Sequence, residues 1–162
     1  MDPVIVALGS NVGDRRRYMS DARGFLEEIS EKGLRASSLW MTEPVGPSTR
    51  YFLNAAVEIH SSAEPETLVR RFKRFEKAHG RSAGAPRWSA RTIDLDIISW
   101  GNLVIQHDTL IIPHAEYRNR LFVLEPLREL RPEWKDPETR TPVDELIARA
   151  PDLSVRKLNA TW

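Results

Sequence analysis

With 162 residues, 41% of them hydrophobic, the chain has the length of one domain with a substantial core, expected to span residues 1–162. Twenty-four Lys and Arg against 23 Asp and Glu leave a net charge of +1, so no global field recruits nucleic acid or an anionic membrane, and any anion site must be local. The absence of Cys excludes disulfides, thiolate nucleophiles and Cys-ligated zinc, while His60, His79, His107 and His114 lack the H-x-x-x-H spacing of a zinc site. No apolar run approaches transmembrane length and Met1-Asp2-Pro3-Val4 carries no basic leader signal, so a soluble cytoplasmic protein is expected.

In chain order, Val4 to Leu8 reads as a short apolar strand that ends in the turn Gly9-Ser10-Asn11-Val12-Gly13-Asp14. Asp14 is placed to cap a helix from Arg15 to about Ser30, with Tyr18, Ala22, Phe25, Leu26 and Ile29 on its inner face. A strand over Leu34 to Met41, a Pro/Gly loop from Glu43 to Ser48 and a strand from Tyr51 to His60 follow. Pro65 opens a second helix to about His79, turning Leu68, Val69, Phe72 and Phe75 inward. Ile93 to Trp100 is a strand, Gly101-Asn102 a hairpin signal returning through Leu103 to Ile105, and helices are expected over Arg118 to Leu130 and Val143 to Ala150. The order β-α-β-β-α-β is that of an α+β, ferredoxin-like antiparallel sheet with helices packed on it. Such a sheet hosts many functions and decides none of them.

The run Arg91-Thr92-Ile93-Asp94-Leu95-Asp96-Ile97-Ile98 carries the chemistry. Residues two apart in a strand share a face about 6.6 Å apart, so Asp94 and Asp96 point the same way. Two anions on a half-buried face want a cation, and an oxygen-only set favours Mg²⁺ bound together with substrate phosphates. A solvated outer strand face is the competing reading. Upstream, Gly80 to Arg91 holds two Gly, one Pro and the arginines Arg81, Arg87 and Arg91, which reads as a basic loop whose guanidinium forks match phosphate oxygens. Basic loop and carboxylate pair together suggest phosphoryl chemistry on a metal–nucleotide complex.

Six segments in order then resemble a known family: Ala7-Leu8-Gly9-Ser10-Asn11-Val12-Gly13-Asp14-Arg15, Thr42-Glu43-Pro44-Val45-Gly46-Pro47, Phe52-Leu53-Asn54-Ala55-Ala56-Val57, Glu76 with Gly80-Arg81, Arg91 to Asp96, and Ile112-Pro113-His114 with Arg120 and Phe122. They are similar to 6-hydroxymethyl-7,8-dihydropterin pyrophosphokinases, up to about Leu127. The resemblance implies transfer of the β,γ-pyrophosphoryl group of MgATP to the hydroxymethyl of a reduced pterin, releasing AMP, in folate synthesis. It assigns Asp94 and Asp96 to two Mg²⁺ ions and Arg81 and Arg91 to the transferring phosphates. Trp88 becomes a lid near the nucleotide, or else a packing anchor. Thr42, Pro44, Val45, Phe52, Asn54 and Phe122 are assigned to the pterin, with Phe52 where the family often has Tyr. Glu76, Ile97, His114 and Arg120 are assigned to adenine and ribose. The implied partners are ATP and the pterin, with neither nucleic acid nor membrane, and a monomer is expected.

Departures from the family pattern are Ala83 for a basic residue, Ser89-Ala90 for Gly-Pro, Ala115 for an aromatic and Lys73 for a glutamine. There is no Walker sequence and no G-x-G-x-x-G, so those glycine loops do not hold the phosphates. Two other readings compete. One is a nucleic-acid module stacking bases on a ferredoxin-like sheet, against which stand the missing RNP pattern and the acids on the strand. The other is a relative that binds pterin or nucleotide without chemistry.

Overall fold

Alternation along the first strand sets the architecture. In β1 (Pro3–Ser10), Val4, Val6 and Leu8 enter one buried cluster while Ile5 enters another, so both faces of the sheet are covered. The computed structural model describes residues 1–44, 50–80 and 92–162. Helix α1 (Arg15–Ile29) starts where Asp14 accepts the Arg17 amide at 3.2 Å, and it buries Met19, Ala22 and Leu26. The expected second strand is broken into β2 (Arg35–Ala36) and β3 (Trp40–Thr42), both antiparallel to β4 (Phe52–His60). Helix α2 (Pro65–Ala78) has Pro in its first turn and buries Leu68, Phe72 and Glu76.

After it come β5 (Asp94–Trp100), β6 (Ile105–Gln106), β7 (Ile111–Ile112), a 3₁₀ turn Tyr117–Asn119, α3 (Leu121–Leu130), α4 (Val143–Arg149) and β8 (Val155–Lys157). The main sheet runs β5-β1-β4-β3-β8 with β2 beside β4, and every pairing is antiparallel. This is the expected ferredoxin-like order with one strand added at its edge. α1 and α2 cover one face; α3 and α4 cover the other, where Val123, Leu124 and Leu127 of α3 cluster with Ile5, Ala56 and Ile98 of the sheet. No helix among the described residues is long and apolar enough to cross a membrane.

Three local expectations are corrected. The second strand breaks because α3 takes over its polar groups: Glu129 accepts from the Ser38 amide at 3.0 Å, the Ser38 hydroxyl at 2.7 Å and the Trp40 indole at 2.8 Å. The helix expected from Arg118 starts at Leu121, since Arg120 is extended at φ −122° and ψ 97°. Gly101-Asn102 does turn the chain, with φ +54° at Gly101, but Ile105 pairs with Ile112 rather than returning on β5. The outer edge of β5 is already occupied there: Glu76 accepts the Leu95 amide at 2.8 Å, and the Ile98 carbonyl accepts the His114 amide at 2.9 Å.

Candidate active site

Strand register builds the site. Gly9 on β1 lies opposite Asn54 on β4 and opposite Asp94 on β5, and two residues back Ala7 lies opposite Ala56 and Asp96. Positions two apart share a face, so Asp94, Gly9 and Asn54 form one row across three strands and Asp96, Ala7 and Ala56 the next. The middle strand contributes only a hydrogen and a methyl, which leaves a hollow between the acids and the amide. It opens into a cavity of about 420 Å³, floored by these strands with Thr42, Phe52 and Ile98 and walled by His114, Glu116, Arg120 and Phe122 on one side and Pro151, Asp152 and Leu153 on another. That volume suits a small planar ligand with a few placed polar groups.

At the carboxylate end, Asp94 is half-buried and Asp96 exposed. Alternation along β5 sends Ile97 into the core under α1 and α2 and brings Ile98 to the cavity wall, and the β1–β5 register then shifts between Ile5 and Val6, a bulge that leaves Ile98 without an opposite residue on β1. The carbonyl of Ile98 seats His114, whose Nδ1 accepts the Glu116 amide at 3.2 Å, so a neutral ring carries its proton on Nε2. Glu116 Oε2 also accepts from Arg120 Nη2 at 3.0 Å, and the Arg120 guanidinium lies 5.7 Å from the Phe122 ring centroid.

At the other end, the Thr42 hydroxyl donates to Asn54 Oδ1 at 2.5 Å, which pairs an amide that is 5% exposed inside an otherwise apolar strand. A Cβ on Gly9 would stand 3.2 Å from Asn54 Nδ2 and 3.8 Å from Phe52 Cδ1, so glycine lets β1 pass close beneath the amide where a methyl would oblige it to shift.

The family model of 7,8-dihydro-6-hydroxymethylpterin-pyrophosphokinase (HPPK) matches residues 5–132. The chain belongs to this family. A Bacillus subtilis 2-amino-4-hydroxy-6-hydroxymethyldihydropteridine pyrophosphokinase is 40% identical over 127 residues, covering 77% of this chain and 75% of that one. The Haemophilus influenzae protein of the same name is 33% identical over 156 residues, 95% of this chain and 96% of that one. Wild-type Plasmodium falciparum HPPK-DHPS shares the fold at a TM-score of 0.69 and 14% identity, with 91% of this chain matched to 44% of that longer one.

Of the positions that the family resemblance singles out, the structure brings Thr42, Phe52, Asn54, Asp94, Asp96, His114, Arg120 and Phe122 to one cavity. Two do not line it. Glu76 is buried at 4% exposure and holds the Leu95 amide from the strand's outer edge, between the two acids in sequence, and the Ile97 side chain is core. Pro44 is half-buried and also off the cavity wall. Val45, Arg81, Trp88 and Arg91 lie outside the described residues. Sequence reading missed Glu116 as the group that holds His114 and Arg120, and the wall from Pro151 to Leu153. The spacing of Glu116 four residues before Arg120 was a usable signal, since such pairs meet on a helical turn.

An HPPK reaction calls for Mg²⁺, and the donor chemistry suits it. Among the described residues no group of three His, Asp or Glu side chains could cage a metal, but Asp94 and Asp96 are an oxygen-only pair facing a cavity. Mg²⁺ commonly binds through one or two carboxylates, completing its shell with phosphate oxygens and water.

Proposed function

We propose that the chain transfers the pyrophosphoryl group of MgATP to the hydroxymethyl of 6-hydroxymethyl-7,8-dihydropterin, releasing AMP in folate biosynthesis, with residues 1–162 acting as one catalytic domain. The observation that carries the reading is the row Asp94–Gly9–Asn54, which sets a carboxylate and a pterin-reading amide on opposite sides of one hollow in a member of this family. Both buried clusters share the one sheet, which supports a single domain.

Asp94 and Asp96 would hold Mg²⁺, two ions in this reading, which when bound offset phosphate charge and lower the pKa of the attacking hydroxyl. The chain's own groups do the rest. His114, whose Nδ1 accepts the Glu116 amide, is held on the cavity wall and is assigned to adenine and ribose. Arg120, steadied by Glu116 and lying near Phe122, adds a fixed positive charge to the same wall. Arg81 and Arg91 are assigned to the transferring group and the departing AMP, and Trp88 to the exclusion of water above them. Phe52 and Phe122 offer faces to the pterin, Asn54 its edge, and Thr42 fixes Asn54, while Pro44 and Val45 belong to the loop beside them. Glu76 acts as a positioning residue through the Leu95 amide, and any nucleotide contact at Ile97 comes from its backbone. The nucleic-acid reading is disfavoured because α3 and α4 pack on the sheet face that holds the cavity, over Ile5, Ala56 and Ile98, and α1 and α2 cover its back.

The test is a product assay with ATP, Mg²⁺ and the pterin that resolves AMP from ADP, run beside Asp96→Ala. Formation of AMP with the pterin diphosphate, lost in the variant, is the expected result. Folded protein that forms no AMP would sink the enzyme reading in favour of binding alone, and ADP would mean a different kinase.

A further inference from the structure

Exposed arginines on three of the helices are answered by nearby acids: Arg17 by Asp21 on α1, Arg128 by Glu125 on α3 and Asp144 on α4, and Arg149 by Glu145 on α4. Helix α2 is built differently. Arg70, Lys73, Arg74 and Lys77 are all exposed, and at about 3.6 residues per turn they fall within an arc about 100° wide, turned away from the buried Leu68 and Phe72. Arg70 with Arg74 and Lys73 with Lys77 are like charges four residues apart, a spacing that destabilises a helix. Nothing in the protein offsets it. Arg70 donates to the Thr67 hydroxyl at 3.2 Å rather than to Glu66, Glu76 is buried and turned to β5, and among the described residues Lys73, Arg74 and Lys77 have no ion-pair partner.

This stripe lies beside the metal strand. Glu76 accepts the Leu95 amide at 2.8 Å, between the two aspartates in sequence, so α2 packs against the part of β5 that carries them, and the chain leaves α2 through Gly80 into the basic run from Arg81 to Arg91. The cavity itself has the opposite sign, since Asp94, Asp96, Glu116 and Asp152 line it against Arg120. Such a field draws in Mg²⁺ and repels a triphosphate, so long-range attraction for the nucleotide must come from cations outside the cavity. We propose that the outer face of α2 is an electrostatic guide for MgATP: Arg70, Arg74 and Lys77 speed its encounter with the site through charge alone and act on the approach rather than on the bound state. The stripe extends about 10 Å along the helix axis, and at low ionic strength the Debye length exceeds that reach. The inference rests on the ATP reading above.

Stopped-flow association of a fluorescent ATP analogue with Mg²⁺ tests it, on wild type and on the triple variant Arg70→Glu, Arg74→Glu, Lys77→Glu. Lys73, which stands where the family often has a glutamine, is left in place. At an ionic strength of about 20 mM the association rate constant should fall about tenfold, with the dissociation rate constant, kcat and the KM for the pterin unmoved. In about 0.5 M salt the two proteins should associate within about twofold of each other, because the charges are then screened. The corresponding triple Gln variant should fall between them at low salt. An association rate that does not change at low salt overturns the guide, as does a loss that persists at high salt or appears in dissociation, either of which would mark direct contact or a disturbed fold. Wild-type protein that binds no nucleotide overturns it too. Binding is read without turnover, so wild type that binds the analogue but forms no AMP removes the reaction and leaves the guide to be decided by the rates.

Discussion

Asp136 and Asp96 are both aspartates close to the same sheet face, and their surroundings differ in kind. Asp136 is fully buried and saturated: it accepts from the Tyr117 hydroxyl at 2.6 Å, the Glu138 amide at 2.8 Å, Arg118 Nη2 at 3.1 Å and the Thr139 amide at 3.3 Å, with Arg118 Nε closer still. Asp96 is exposed on a cavity wall, one residue from an amide that Glu76 holds. A carboxylate whose lone pairs the protein has filled holds the fold together, and one turned to an open hollow is available to a ligand. Tyr117 shows the same contrast from the donor's side: burial, and then the bond to Asp136, push its phenol far above the ordinary range, so it is a fixed donor and not an acid–base group.

The comparison is sharpened first by activity. Asp96→Ala should lower AMP formation by roughly 10³-fold, the scale of removing a principal electrostatic element of a site, while changing unfolding free energy by no more than about 0.5 kcal/mol. Asp136→Asn should do the reverse, costing about 3 kcal/mol because Arg118 loses its buried partner and keeps only Glu138, with turnover per folded molecule close to wild type. Thermal denaturation and rates on the same two preparations check both. A stable, inactive Asp136→Asn would break the division between the two aspartates.

A pH series refines the second half of that pair. Burial raises the Asp136 carboxyl, but the bonds from Arg118, Tyr117 and the Glu138 and Thr139 amides outweigh it and leave the group well below the usual carboxylate range. A depressed folded value stabilises the protein while the group is ionised in both states, above about pH 4, and that contribution disappears as the pH falls further toward the folded value. Urea unfolding should therefore show a wild-type advantage over Asp136→Asn that is level near neutrality and narrows steadily below about pH 4. An advantage that stays constant down to about pH 2.5 would contradict the assignment.

The sequence was informative where local chemistry decided the outcome. The period of two in Ile93 to Ile98 placed Asp94 and Asp96 on one face, and Asp14 and Pro65 marked helix starts that the structure keeps. It was uninformative where distant partners intervene. The bulge that leaves Ile98 unpaired, between the Val6–Ile97 and Ile5–Ser99 pairs, depends on β1, and the alternation of β5 gives no sign of it. Ser37 to Leu39 reads as uninterrupted strand until Glu129, from a helix about 90 residues later, takes the Ser38 and Trp40 donors. Pro151 to Leu153 carries no motif, because its place on the wall comes from β8 pairing across the sheet with β3.

Gly9 is the finest probe of the two ends of the cavity, since it touches Asn54 and faces Asp94 across the ladder. Its strand backbone has no positive φ, so alanine is permitted there; the cost lies in the new methyl, 3.2 Å from Asn54 Nδ2, which obliges the amide to shift by a few tenths of an ångström. Gly9→Ala should lose about 1 kcal/mol of stability, the low end of overpacking, and raise the pterin KM several-fold with little change in the KM for ATP. Gly24, exposed in α1 with nothing within 4 Å of a Cβ, supplies the control: Gly24→Ala should stabilise by about 0.5–1 kcal/mol through helix propensity and leave both KM values alone. If Gly9→Ala raised the KM for ATP instead, the amide end of the row would belong to the nucleotide and the two ends of the cavity would have to exchange substrates.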